Sequence, residues 1–123
     1  MRKLVIYTLL FFCHVIMAQS ASEAESLFNS KQYTKAKTMY EALLKRKPND
    51  ALNNYRLARC YYELNQYEDA VKYFERSGNR YTLKDLYLGE AYFHTYRFDL
   101  SVSAYQTFIA TLTPTDERLE ELN

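Results

Sequence analysis

The chain has 123 residues, of which 48% are hydrophobic, 25% charged and 16% aromatic, and its formal net charge is +1. This balance is that of a globular protein rather than a disordered one, and it lacks the strong positive charge that nucleic acids or anionic membrane surfaces attract. Two glycines and two prolines argue against a loop-rich all-β fold and against a glycine-rich phosphate-binding loop.

Residues 1–18 have the order of a secretory signal peptide. Residues 2–3 are basic, and residues 4–17 form an apolar run. A small residue, Ala18, then precedes the polar Gln19. We therefore expect cleavage between these two residues, and a product that is periplasmic or associated with the outer membrane. The alternative is an uncleaved anchor, but a membrane-spanning helix needs about 20 apolar residues and this run is shorter.

The rest of the chain predicts a series of amphipathic helices, because its apolar residues recur at three- and four-residue spacing. The predicted helices are 20–29, 33–46, 51–64, 67–77, 83–95 and 98–111, with a further helix starting at 115. Ser22 and Glu25 form a candidate capping box for the first helix, and Asp50 is a candidate N-cap for the third. Gly78 is expected to end the fourth helix early.

One pattern of small residues and aromatic rings occurs three times. The copies follow each other at steps of 34 and then 31 residues: Ala24, Leu27, Phe28, Tyr33, Ala36 and Tyr40; Ala58, Tyr61, Tyr62, Tyr67, Ala70 and Phe74; Gly89, Tyr92, Phe93, Phe98, Ser101 and Tyr105. The predicted repeats are 19–50, 51–81 and 82–114, and residues 115–123 begin a capping or following helix. We expect the small residues to lie where paired helices approach each other: Ala24, Ala36, Ala58, Ala70, Gly89 and Ser101.

This pattern resembles the tetratricopeptide repeat (TPR) family, whose 34-residue unit is a helix–turn–helix. The resemblance covers about residues 20–114, and its clearest stretches are NQYEDAVKYF (65–74) and LGEAYF (88–93). It implies an all-α fold, a right-handed superhelical array of three helix–turn–helix repeats with a short C-terminal helix. The sequence departs from the family pattern at Glu23 and Ser101, and the second repeat lacks its closing proline.

The chain offers little material for catalysis or metal binding. Cleavage at Ala18 would leave Cys60 as the single cysteine and His94 as the single histidine. A zinc site or a catalytic Ser–His pair would then have to depend on His94 alone. We expect Cys60 to be a buried small apolar residue, with an intermolecular disulfide as the alternative. His94 is expected to be a partly exposed helix residue. The sequence thus predicts a protein that is not an enzyme and uses no metal or cofactor.

The resemblance implies that the first helix of each repeat lines a concave groove that holds a peptide or a partner helix. The implied groove residues are Phe28, Asn29, Tyr55, Arg59, Tyr62, Glu63, Leu86, Glu90, Phe93 and His94. Phe28, Tyr62 and Phe93 could instead pack against neighbouring first helices. One TPR subgroup grips a terminal carboxylate with Lys, Asn and Arg, but this chain has other residues at those positions, so that clamp is absent: Ala21, Glu25, Arg56, Leu83 and Tyr87.

These observations predict a non-catalytic protein–protein interaction scaffold of the cell envelope, similar to exported gram-negative TPR proteins. The alternative is the N-terminal repeat module of a larger envelope enzyme, transport or outer-membrane protein whose active domain lies beyond residue 123. The expected partner is a protein or peptide, with no nucleic acid. Apolar residues of the last helix need a cover that Leu119 and Leu122 supply only weakly. We therefore expect the C-terminal end to associate with a second copy of the chain, with a partner, or with a following domain.

Overall fold

The computed structural model describes residues 1–112, except for the side chains of residues 14–19. The described residues form six helices and no strand: α1 (Arg2–Asn29), α2 (Tyr33–Arg46), α3 (Ala51–Glu63), α4 (Tyr67–Arg76), α5 (Lys84–His94) and α6 (Phe98–Thr111). The predicted all-α fold class is therefore confirmed. The helix that the sequence predicts from residue 115 lies outside the described residues.

The helices pack as three consecutive helix–turn–helix repeats. Within the repeats, α1 packs against α2, α3 against α4 and α5 against α6. Contacts of α2 with α3 and of α4 with α5 join one repeat to the next, and α3 also contacts α5. One hydrophobic core runs through the array from Ala24 in α1 to Ala104 in α6. Each helix pair therefore buries its apolar face against a neighbouring pair, as in other repeat proteins.

The turn inside each repeat has the same geometry three times. Lys31, Asn65 and Tyr96 have left-handed backbone conformations, with φ of 60°, 58° and 62°. The next N–H in each turn donates to a carbonyl five residues earlier at 2.9 Å: Gln32 to Leu27, Gln66 to Tyr61 and Arg97 to Tyr92. This Schellman-type bond closes the first helix and directs the chain into the second.

The first helix is longer than predicted. α1 runs without a break from Arg2 to Asn29, so the prediction of a helix start at residue 20 is wrong, and Ser22 and Glu25 do not cap it. The physical reason is that no glycine or proline lies in this stretch, so a helix that forms in the apolar segment continues into the first repeat. Among the described residues, no helix combines the length and apolar character that crossing a membrane requires.

Two predicted helix ends are confirmed. Asp50 caps α3, because its side-chain Oδ1 accepts a hydrogen bond from the N–H of Asn53 at 2.8 Å. α4 ends at Arg76, and Gly78 follows with a φ of +70°, which glycine adopts without steric cost.

The small residues that recur in the repeats are all buried: Ala24, Ala36, Ala58, Ala70, Gly89 and Ser101. A Cβ added to Gly89 would lie 2.9 Å from the ring of Tyr105, so α5 and α6 approach each other closely here. The Ser101 hydroxyl donates to the Gly89 carbonyl at 2.7 Å, and the serine therefore adds a bond between the two helices. Cys60 is fully buried, as expected, and burial raises the pKa of its thiol to about 12.

Candidate protein-binding groove

The first helices α1, α3 and α5 carry a row of aromatic rings that are held in place by their own repeats. The ring near the end of each first helix meets the ring that starts the second helix edge-on: Phe28 with Tyr33 at 5.6 Å, Tyr62 with Tyr67 at 5.9 Å, and Phe93 with Phe98 at 5.6 Å between ring centres. We call the surface formed by these three first helices the groove.

Arg59 connects the three repeats at the centre of the groove. Its guanidinium carbon lies 3.8 Å from the ring centre of Tyr87 and 5.8 Å from that of Phe28, and its Nη2 donates to Glu63 at 2.9 Å. Burial lowers the pKa of Arg59, but hydrogen bonds with Glu63 and Tyr55 more than offset this and raise it. The groove therefore has a fixed positive charge at its centre, 16% exposed as a side chain and already paired.

Arg56 and Tyr87 extend these contacts between repeats. The Arg56 guanidinium lies 4.8 Å from the Phe28 ring centre and 3.4 Å from a Glu25 carboxylate oxygen. Tyr87 meets the Tyr62 ring edge-on at 5.0 Å. Sequence reasoning assigned neither residue to ring packing, although a signal was present. The two residues are 31 residues apart, the step between the second and third repeats, and each covers a ring of the preceding repeat.

Tyr62 and Tyr55 are held by different contacts. The Tyr62 hydroxyl donates to Glu90 Oε2 at 2.6 Å, and burial together with this carboxylate raises the pKa of Tyr62. Tyr55 is 8% exposed and stacks on Tyr81 at 4.4 Å. Tyr62 therefore keeps part of its surface in the groove, whereas Tyr55 mainly packs the second repeat against the segment that precedes α5.

The predicted groove residues fall into three classes of exposure. Phe28 and Tyr55 are buried; Arg59, Tyr62, Glu63, Leu86 and Glu90 are half-buried; Asn29, Phe93 and His94 are exposed. Of the two roles left open for the rings, packing holds for Phe28, and Phe93 remains open to solvent. His94 is a partly exposed helix residue that stacks on Tyr67 at 4.1 Å. The role of the whole set in binding a partner stays a prediction.

The surface outside the groove offers no metal site within the described residues, since no group of three histidine, cysteine or acidic side chains comes together there. A cavity of about 460 Å³ lies between α2 and α4, with Asn54 at the start of α3 in its wall. Its wall includes Glu41, Lys45, Asn54 and Arg76. The Glu41 carboxylate is already bound to the Tyr61 hydroxyl at 2.5 Å, so this polar group serves the contact between repeats.

Solved structures of TPR domains resemble the chain in fold, among them the following two. The second TPR domain of Spaghetti (RPAP3), bound to the HSP90 peptide SRMEEVD, has a TM-score of 0.70 and 16% identity over 78% of this chain and 92% of that one. The Sgt2 TPR domain from Aspergillus fumigatus has a TM-score of 0.65 and 24% identity over 76% of this chain. The match spans 64% of the Sgt2 chain, just under two thirds of its length. No curated protein matches the chain.

The family comparison agrees with the helices and their turns. The tetratricopeptide repeat family matches residues 18–83, more than half of the chain. The same helix–turn–helix geometry continues beyond the matched residues in α5 and α6, with the left-handed turn residue Tyr96 between them. The chain belongs to the tetratricopeptide repeat family.

Proposed function

We propose that this protein is an exported, non-catalytic scaffold of the cell envelope that binds a peptide or a partner helix in its groove. The observation that carries the proposal is the position of Arg59, which contacts rings from the repeats on both sides. Contacts of this kind hold the groove in one shape before a ligand arrives, which lowers the entropy cost of binding. The peptide bound to the Spaghetti TPR domain supports peptide binding as a use of this fold.

The exposed side chains of the groove favour an apolar ligand. Leu52 lies four residues before Arg56 and seven before Arg59, on the same side of α3, and is 48% exposed. Phe93 is 54% exposed. The central charge of Arg59 is already paired with Glu63, so it offers little to an acidic tail. The basic residues that grip a terminal carboxylate in one TPR subgroup are absent from this groove. The ligand is therefore a segment with apolar or aromatic side chains rather than an acidic C-terminus.

The N-terminal part of α1 supports export. Its large apolar side chains are exposed: Leu4, Val5, Ile6, Tyr7, Leu9, Leu10, Phe11 and Phe12. The family match begins at residue 18, after this segment. Removal of residues 4–12 would therefore take no buried side chain from the repeats. Mass spectrometry of the protein recovered from the envelope should find an N-terminus at Gln19, and a membrane-bound product that retains Met1 would contradict export by cleavage.

A matched pair of leucines tests the groove. Leu52 on α3 and Leu100 on α6 are 48% and 49% exposed, so a glutamate at either position should leave the fold intact. Leu52→Glu places a charge in the groove, whereas Leu100→Glu places it on a second helix. We expect Leu52→Glu to weaken capture of a partner from envelope extracts by about tenfold or more, and Leu100→Glu to leave it unchanged.

Circular dichroism provides the control for folding in both variants. Equal capture by Leu52→Glu and the unchanged protein would contradict binding in the groove. So would equal losses in Leu52→Glu and Leu100→Glu, because a charge on either side of the array would then have the same effect.

A further inference from the structure

The face that each repeat presents to the next repeat is covered in the first two repeats and open in the third. Phe28 is 9% exposed, but its counterpart Phe93 is 54% exposed. Leu44 is 8% exposed and its counterpart Ile109 is 50% exposed. Equivalent residues thus differ about fivefold or more in exposure. The apolar face of the third repeat lacks, among the described residues, the neighbour that its counterparts have.

The open residues form one continuous surface. Four apolar residues of α6 are spaced by four, three and four residues, which places them on one side of the helix: Phe98, Val102, Tyr105 and Ile109. Phe98 lies 5.6 Å from Phe93 and 6.2 Å from Tyr96 between ring centres. We call this surface the terminal patch and define it by its most exposed members: Phe93, Tyr96, Phe98, Val102 and Ile109.

The helix that carries the patch is almost free of charge. Residues 100–111 contain no acidic, basic or histidine side chain, whereas α2 and α4 carry five charged residues each. Asp99, in the first turn, is the charged residue of α6, so a charged partner or an anionic membrane would find no ionic group along residues 100–111 to pair with. Residues 100–111 of two identical copies can approach each other without repulsion between like charges, which favours a second copy as the occupant.

Tyr96 adds a second observation at the edge of the patch. Its ring is 82% exposed, and its φ of 62° is a left-handed conformation that is unfavourable for a bulky residue. Asn65 occupies the equivalent turn in the second repeat, and asparagine tolerates this conformation better. The left-handed conformation itself belongs to the turn, since Lys31 adopts it in the first repeat, but the turn places an exposed aromatic ring beside Phe98 only in the third repeat.

We propose that two copies of this chain pack their terminal patches together about a twofold axis, with α6 against α6. The exposed parts of the five patch residues add up to about 500 Å² of surface, if a whole aromatic side chain has about 200 Å². A standard interface buries about 800 Å² on each partner, so the patch with its polar rim reaches the lower end of specific interfaces. The dimer is therefore weak and depends on concentration, and it does not require a ligand in the groove.

Sedimentation velocity of the full chain at increasing concentration tests the dimer. All samples carry Leu9→Glu and Phe12→Glu, because the exposed apolar start of α1 could otherwise associate by itself. Val102→Glu should weaken dimerisation about tenfold or more, since it buries a charge in the patch. Ser103→Glu, an equal change one residue away and off the patch, should leave the dimer unchanged. Both positions are exposed, and circular dichroism verifies that both variants fold.

Oxidative cross-linking tests the location of the contact. In a background with Cys13→Ser, Ile109→Cys should form a disulfide between copies, and Ser103→Cys should not. Native Cys60 is buried and cannot interfere. A chain that is monomeric at every concentration would overturn the proposal, and so would a dimer that Val102→Glu leaves intact. A monomer that dimerises only after residues 113–123 are removed would also overturn it, because this chain's own segment would then cover the patch.

Discussion

The contact between the first two repeats and the open face of the third repeat use equivalent residues in opposite environments. Phe28 is covered by the guanidinium groups of Arg56 and Arg59 from the next repeat. Within the described part of the chain, the ring of its counterpart Phe93 meets His94 and Phe98 of its own repeat, and Phe93 is 54% exposed. Each repeat thus has an apolar face of its own, but this face is buried in a core only where a neighbouring repeat packs against it.

Hydrogen bonds between repeats also distinguish the covered faces of the first two repeats from the open face of the third. The Tyr61 hydroxyl donates to Glu41 of the first repeat, and the Tyr92 hydroxyl donates to Glu75 of the second. The equivalent position in the third repeat is Gln106, an uncharged residue. The carboxylate is thus present at the two positions where a following tyrosine binds it. The covered faces combine ring packing with a charged acceptor, whereas the open face is apolar and neutral.

The largest expected difference between the two environments is in the cost of removing a phenylalanine. Phe74 is fully buried between repeats, so Phe74→Ala should reduce the free energy of unfolding by about 3–5 kcal/mol. Phe93→Ala at the open end should reduce it by less than about 1 kcal/mol, because the ring is already half in water. Chemical denaturation followed by circular dichroism measures both. Equal losses would mean that the third repeat has a cover as complete as those of the first two.

Overpacking gives the next largest effect. Ala58 is fully buried in α3, and a leucine there would push the paired helices apart. We expect Ala58→Leu to destabilise the protein by about 1–3 kcal/mol, and Val102→Leu, at an exposed position of α6, to change its stability little. Thermal melts of both variants measure this difference. An unchanged melting temperature for Ala58→Leu would contradict close helix packing at this position.

The tyrosine–glutamate bond between repeats predicts sensitivity to alkaline pH. Burial and the Glu41 carboxylate raise the pKa of Tyr61, and burial raises the pKa of Tyr40 to about 12. The folded protein therefore keeps protons that the unfolded chain loses above a pH of about 10. The stabilisation from these groups is complete below that pH and is lost as the pH rises through the folded-state values.

Tyr61→Phe removes both the hydrogen bond to Glu41 and the hydroxyl that loses its proton at alkaline pH, and measurements at two pH values distinguish the two effects. At neutral pH this change should cost about 1 kcal/mol, since it removes one bond to a charged acceptor. Denaturation curves recorded from neutral pH to above pH 10 should show a shallower loss of stability for Tyr61→Phe than for the unchanged chain. Parallel curves would mean that the Tyr61 hydroxyl does not contribute to the alkaline loss.

The smallest expected effect is an increase in the stability of the protein. Tyr96→Asn should stabilise the isolated repeats by about 0.5–1 kcal/mol, because asparagine is less strained in the left-handed conformation. Asn65→Tyr, the reverse change in the second repeat, should destabilise them by a similar amount. Melting temperatures compare the two. A loss of stability in Tyr96→Asn would mean that contacts of the ring with Phe98 outweigh the backbone strain.

Most of the helix pattern could be predicted from the sequence. The predicted bounds of α2 and α6 agree with the structure, those of α3 and α4 differ by one residue at the C-terminal end, and those of α5 differ by one residue at each end. These bounds depend on local signals, such as the Asp50 cap and the break at Gly78, and on a pattern that repeats three times. The start of α1 was missed because nothing in the local sequence stops the helix between the apolar segment and the first repeat.

The candidate site was less predictable than the helices. The positions of the groove residues followed from the TPR pattern, but their exposure did not. Tyr55 is buried against Tyr81, which lies outside any helix, and Arg59 is held by rings from two other repeats. Such contacts join residues that are far apart in the chain, so helical periodicity carries no information about them.

By itself, the sequence determined the bounds of α2 to α6 to within one residue, the turns between them and the small residues that allow helices to approach, since these properties depend on spacing along the chain. Only the tertiary structure decided which of three equivalent rings is covered. Phe28 and Phe93 occupy the same place in their repeats, yet one is buried and the other is half-exposed. The physical reason is that burial depends on what packs against a residue, and a repeat's neighbour is not part of its own pattern.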